Sequence, residues 1–102
     1  MSVKQYITLM IRTIQNKALR RHFETGKADK LPVQGAAIAR VGRILLALDA
    51  ATKPEDMNLP GYHFHGLEGT PQRWSVRVTA NYRITFAWDA PDAIDVDLED
   101  DH

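Results

Sequence analysis

The stretch Arg73 to Phe86, RWSVRVTANYRITF, leaves little choice of local structure. By strict alternation Val76, Val78, Tyr82, Ile84, Phe86 and Trp88 fall on one face, while Ser75, Arg77, Arg83 and Thr85 fall on the other. A period of two predicts a pair of half-buried strands. Thr79, Ala80 and Asn81 supply the turn, with Asn81 the residue best able to take the left-handed conformation that closes a three-residue loop. If Val78 pairs with Tyr82, Arg77 faces Arg83, a like-charge contact that costs roughly a few tenths of a kcal/mol to 1. Two readings explain that basic face. AIDVDLED, Ala93 to Asp100, alternates Ile94, Val96 and Leu98 against Asp95, Asp97 and Glu99, so a further strand lays carboxylates beside the arginines. Otherwise the face awaits an anion.

The rest of the chain is read around this hairpin. MIRTI, Met10 to Ile14, reads as a first strand, which makes residues 1–9 an N-terminal extension, 10–102 the domain, and Met10 an alternative start. NKALRRHFETG reads as a short helix with Asn16 as N-cap, Leu19 and Phe23 one turn apart, and Gly26 as the stop. A second helix is expected to begin near Pro32, with Ile38, Val41, Leu45 and Leu48 as its buried stripe, widened by Ala37, Ile44 and Ala51. The prolines of TKPEDMNLPG end it, and a half-extended stretch follows from Tyr62 to Leu67. This order predicts an α+β fold: two N-terminal helices packed on one face of an antiparallel sheet of four or so strands, the other face open.

Composition narrows the classes. The 102 residues make one domain able to bury a core, and without cysteine there is neither a disulfide framework nor thiolate chemistry. The longest apolar run, Ile44 to Leu48, is too short to span a membrane, and Met1 to Thr13 lacks the layout of a secretory signal, so a soluble cytoplasmic protein is expected. Net charge is zero, yet nine Lys or Arg stand against Glu24 and Asp29 up to Leu45, and four against eleven acids thereafter. Lys17, Arg20, Arg21, Arg40 and Arg43, on the outer faces of the helices, would form a basic surface for an anionic partner, which charge alone does not name as nucleic acid.

His63 and His65 stand one strand period apart and would point the same way, but no acid or cysteine spacing completes a metal signature. No metal or other cofactor is expected. Should the strand after His65 and the last strand both flank the hairpin, Arg77, Arg83, His65 and His102 would gather on the open face. Such a set suffices for RNA cleavage: an imidazole exchanges protons near neutral pH, guanidiniums bind the phosphate bidentately, and RNA supplies its own 2′-hydroxyl nucleophile.

The segments IRTIQNKALRRHFETG, ALDAATKPEDMNLPGYHFHGLEG, WSVRVTANYRITF and DVDLEDDH, taken together, resemble the HigB-type branch of the RelE/ParE toxin superfamily from about Met10 to His102. The most specific parts are MNLPG-x-x-x-H-x-L, the N-[WY]-R-I-T-F strand and the terminal histidine. The resemblance implies a RelE-like, microbial-RNase-like fold and a toxin of a type II toxin-antitoxin operon that cuts mRNA on the ribosome. It implies a helix-turn-helix, HigA-like antitoxin as partner and a toxin-antitoxin heterotetramer. By position it implies His65, Arg83 and His102 as catalytic residues; on an RNase reading, Arg77, His63, Lys17, Arg20, Arg21, Arg40 and Arg43 would be RNA contacts. A ParE-like gyrase inhibitor, or a weakened toxin that mainly binds its antitoxin, is the alternative. Three positions depart from the family pattern: Glu68 replaces a lysine, Thr70 an acid and Asp101 a tyrosine. The anionic Glu68 and Asp101 should make the site less welcoming to a phosphate.

Overall fold

The computed structural model describes residues 11–100. The expected hairpin is formed by β2 (Arg73–Arg77) and β3 (Tyr82–Asp89), and Arg77 does face Arg83. Its turn closes differently from expectation. Among the described residues, the non-glycine residues with positive φ are His63 and Asp95, so Asn81 is not left-handed. Thr79 closes the loop instead: its hydroxyl accepts from the Asn81 and Tyr82 amides, each at 3.1 Å. A threonine oxygen that satisfies two turn amides removes the need for a left-handed residue.

Two strands flank the hairpin. β1 (His65–Leu67) pairs with β2 and β4 (Asp92–Asp100) with β3, giving an antiparallel sheet of order β1-β2-β3-β4. The alternation read in β4 holds only for its second half. Thr85 opposes Asp97 while Ala87 opposes Ile94, so β4 carries one extra residue and bulges. Asp95, at φ 50°, lies within this irregular stretch, and the faces exchange across it. Val96 and Leu98 remain in the core, but Ala93 is fully buried and Ile94 only half-buried.

The bulge also explains the first segment. Ile11 and Ile14 make isolated parallel bridges to Ala93 and Val96 and do not form a regular strand; Met10 and the expected extension 1–9 lie outside the described residues. Thr13 serves the bulge directly, its hydroxyl accepting from the Asp95 amide at 2.7 Å and donating to the Asp95 carboxylate at 3.2 Å.

α1 (Lys17–Thr25) is capped as expected, with the Asn16 side chain accepting from the Leu19 amide at 2.9 Å and Gly26 at φ 80°. α2 (Ala36–Ala50) starts four residues later than Pro32 suggested. Leu31 and Val33 are buried and hold the intervening chain against the core, and Gly35, at φ 62°, makes the turn into the helix. Val41, Ile44, Leu45 and Leu48 pack with Val76, Ile84 and Phe86 in one core, so the helices cover one face of the sheet. After α2 a single 3₁₀ turn, Pro54–Met57, buries Met57 completely. The half-extended stretch is shorter than expected because the left-handed His63 breaks it before β1.

Candidate active site

Strand parity sends one set of side chains into the helix-covered core and the other to the opposite face. On that second face the register aligns His65 with Ser75, Ser75 with Thr85 and Thr85 with Asp97, and beside this row aligns Arg77, Arg83 and Glu99. His63, His65, Ser75, Arg77 and Arg83 line one small cleft of about 30 Å³. Four residues singled out from the sequence, two histidines and two arginines, thus meet at one place. His102, the third expected catalytic residue, lies outside the described residues.

The hydrogen bonds of His65 define its tautomer. Its Nδ1 lies 3.0 Å from the His63 carbonyl oxygen, which can only accept, so Nδ1 carries the proton. In the neutral ring Nε2 is then the basic nitrogen. It meets the Ser75 hydroxyl at 3.3 Å, a long contact for an oxygen donor. Ser75 itself is almost fully buried. The alternation had placed it on this face without giving it a role, since a serine among strand residues carries no spacing signal. His63 contributes through its backbone as well as its ring, and its left-handed conformation is strain of order 1 to 3 kcal/mol, which a fold keeps where surrounding bonds enforce it.

The arginines differ in setting. Arg77 is exposed and Arg83 half-buried, between Arg77 on one side and Glu99 on the other. Of the two readings of the basic face, the structure contains elements of both. Glu99 stands opposite Arg83, but its carboxylate accepts the hydroxyl of fully buried Thr85. Thr85 in turn accepts from Arg73 at 2.9 Å, and the same Arg73 nitrogen donates to the Asp95 carbonyl at 2.8 Å. Arg73, Thr85 and Glu99 form a polar row that holds the acid in place; the sequence placed Thr85 and Glu99 on this face but not Arg73 or the bonds between them.

The helix cations are not equivalent either. Lys17, Arg20 and Arg43 are exposed, as expected. Arg21 pairs with Asp29 at 2.8 and 3.2 Å; these bonds hold the Asp29 carboxyl below its usual range and raise the Arg21 guanidinium. Arg40 departs furthest from the outward RNA contact expected of it. Its guanidinium donates to the Arg77 carbonyl at 3.0 and 2.9 Å and to the Gly61 carbonyl at 2.7 Å, and lies 5.1 Å from the centre of the Tyr62 ring. Arg40 therefore ties α2 to the end of β2 and to the loop that carries His63.

Compared with known proteins, residues 12–102 match the HigB-like toxin family, the RelE-like toxins of type II toxin-antitoxin systems. The chain belongs to this family. It is 36% identical over 94 residues to the endoribonuclease HigB of Proteus vulgaris, an alignment that spans 91% of this chain and all of that relative. The two helices and four-stranded antiparallel sheet accord with the RelE-like fold expected for a HigB-like toxin. Membership implies an antitoxin partner. Among the described residues, no helix of this HigB-like chain is long and apolar enough to cross a membrane.

Proposed function

We infer that this HigB-like toxin cleaves mRNA on the ribosome by proton transfer between its own side chains and the RNA, with no metal in the reaction. The observation that carries this reading is the cleft itself, where a proton-accepting His65 Nε2 stands beside two arginines on one sheet face. In the proposed step His65 Nε2 takes the proton of the RNA 2′-hydroxyl. The 2′-oxygen then bonds to phosphorus and the bond from phosphorus to the 5′-oxygen breaks. The leaving 5′-oxygen takes a proton from His102, whose role rests on the family resemblance. The products are a 2′,3′-cyclic phosphate and a 5′-hydroxyl. Arg77 and Arg83 hold the phosphate oxygens as charge develops on them. A cleft lined by two guanidiniums suits an anion and repels a metal cation.

The name of the Proteus vulgaris relative supports ribonuclease chemistry over gyrase inhibition. Work on translating ribosomes would place the protein in the cytoplasm, and residues 10–102 would form the toxin domain. A helix-turn-helix, HigA-like antitoxin would neutralise it, in a heterotetramer. The exposed cations Lys17, Arg20 and Arg43, with Arg21, would meet ribosomal RNA or an acidic antitoxin surface. Primer extension on transcripts after induced expression, beside Arg83→Ala, tests the reading. It requires new 5′ ends within translated messages that vanish in the variant. A DNA-damage response without such ends would point to gyrase instead.

A further inference from the structure

A second concavity, of about 450 Å³, opens beside the cleft and has no part in the chemistry above. Asn58, Leu59, Pro60, Gly61, His63 and Phe64 line it. His63 also lines the catalytic cleft, so the two spaces adjoin at that residue. The lining contains no lysine, arginine or acid. It has apolar surface from Leu59, one of two exposed large hydrophobic side chains among the described residues, and from Phe64, which also packs against the core. Exposed Asn58 and His63 supply the polar atoms.

The groove is held open by bonds from other elements. Arg40 on α2 donates to the Gly61 carbonyl at 2.7 Å, the Arg77 amide donates to the Tyr62 carbonyl at 2.8 Å, and the Tyr62 amide donates to Leu59 at 3.0 Å. Fully buried Met57 anchors the start of the loop. A concavity that joins ring and aliphatic surface to polar groups, with no charged side chain in its lining, suits a base better than a phosphate, which the neighbouring Arg77 and Arg83 attract.

We propose that this groove seats the nucleobase of the nucleotide next to the cleaved bond, an inference that rests on the ribonuclease reading of the cleft. Unstacked bases in single-stranded RNA are held by side-chain stacking and read along their edges. His63 and Phe64 offer ring faces, Leu59 closes the apolar wall, and Asn58 carries the donor and acceptor pair that reads a base edge. The loop therefore sets which nucleotide is accepted beside the cut, while the cleft performs the cut.

The test uses Asn58→Ala, outside the catalytic set, and ribosomes programmed with messages that differ only in the two nucleotides flanking the cleavage site. The wild type should prefer one base at one flank; Asn58→Ala should reduce that preference by a factor of about ten, with the rate on a disfavoured message within about twofold. In parallel, a trinucleotide with 2′-deoxyribose on the 5′ side of the bond, which cannot be cleaved, is titrated into the full chain while amide resonances are followed. Shifts at Leu59, Gly61 and His63 that inorganic phosphate does not reproduce support the subsite. Such shifts in a protein that cuts no message would leave a groove that binds a base but overturn its place beside a cleaved bond, together with the ribonuclease reading. Cleavage with a preference untouched by Asn58→Ala, or groove shifts absent or matched by phosphate, would overturn the subsite and leave the ribonuclease reading standing.

Discussion

Arg40→Ala separates structural bracing from RNA contact at a residue whose sequence position suggested the latter. The guanidinium makes three close donor contacts to the Gly61 and Arg77 carbonyls and covers the Tyr62 ring. Hydrogen bonds from a charged donor contribute about 1.5 to 3 kcal/mol each when buried. Arg40 is half-buried, and water would replace part of what is lost, so the three contacts together contribute about 1 to 2 kcal/mol. At about 4 to 8 °C per kcal/mol for a domain of this size, the thermal midpoint should fall by about 4 to 16 °C. Arg40→Lys should lie between, because one ammonium cannot reproduce the planar fork over two carbonyls and a ring. The assay is thermal unfolding of both variants beside the salt dependence of ribosome binding. Cleavage should fall with the loss of loop order, while the slope of log affinity against log salt stays put. An unchanged midpoint with a slope reduced by roughly 0.7, the share of one single-strand phosphate, would make Arg40 an RNA contact and refute the bracing argument.

Arg83→Ala should abolish cleavage while the thermal midpoint moves by only a few degrees; a midpoint that collapses with activity would assign Arg83 to structure. Thr85→Val, which takes the hydroxyl from the Glu99 carboxylate and one of two acceptors from the Arg73 nitrogen at a fully buried position, should cost about 1 to 3 kcal/mol in urea unfolding, and a neutral result would dissolve the polar row. Glu68→Lys, which restores the family's cation in the loop after β1, should raise the cleavage rate on ribosomes carrying a defined message; no gain would mean that Glu68 does not limit the protein. The Asp56 carboxyl is held below its usual range chiefly by the Thr52 backbone amide, with the Thr52 hydroxyl adding to the effect. Its contribution to stability is therefore present above the ordinary carboxylate pKa and is lost as pH falls through the lowered one. Asp56→Asn should destabilise most near neutral pH and least in acid, so a difference from wild type that does not shrink on acidification would contradict this.

What could be read from the sequence was what a strictly local pattern determines. Period-two alternation set the faces of β2 and β3 because one face had to be buried, and a one-residue slip would have exposed all of it. The cap at Asn16 and the stop at Gly26 were legible for the same reason: each acts within one turn. The misreadings have non-local causes. Ala93 and Ile94 exchange roles because Asp95 bulges against Thr13, a partner 82 positions away. Arg40 reads as an outward cation on the helical period, but its partners lie on β2 and in the loop before β1, placed there only by the tertiary fold. Ser75 gains meaning only from its register with His65.

Among the described residues, the two strained non-glycine ones show how the fold assembles the candidate site. His63 and Asp95 are far apart in sequence, yet each turns a backbone carbonyl to use on the same side of the sheet. The His63 carbonyl takes the Nδ1 proton of His65 and leaves Nε2 to accept. The Asp95 carbonyl takes Arg73, which bonds Thr85, which bonds Glu99, the residue opposite Arg83. Neither left-handed residue lies within the apolar packing between helices and sheet, where Val76, Ile84, Phe86 and Val96 are all fully buried. Strain placed this way costs the core nothing in packing and orients the His65 imidazole and the Glu99 carboxylate around two arginines. Relaxing either carbonyl should therefore alter the chemistry of the cleft before it alters the cooperativity of unfolding.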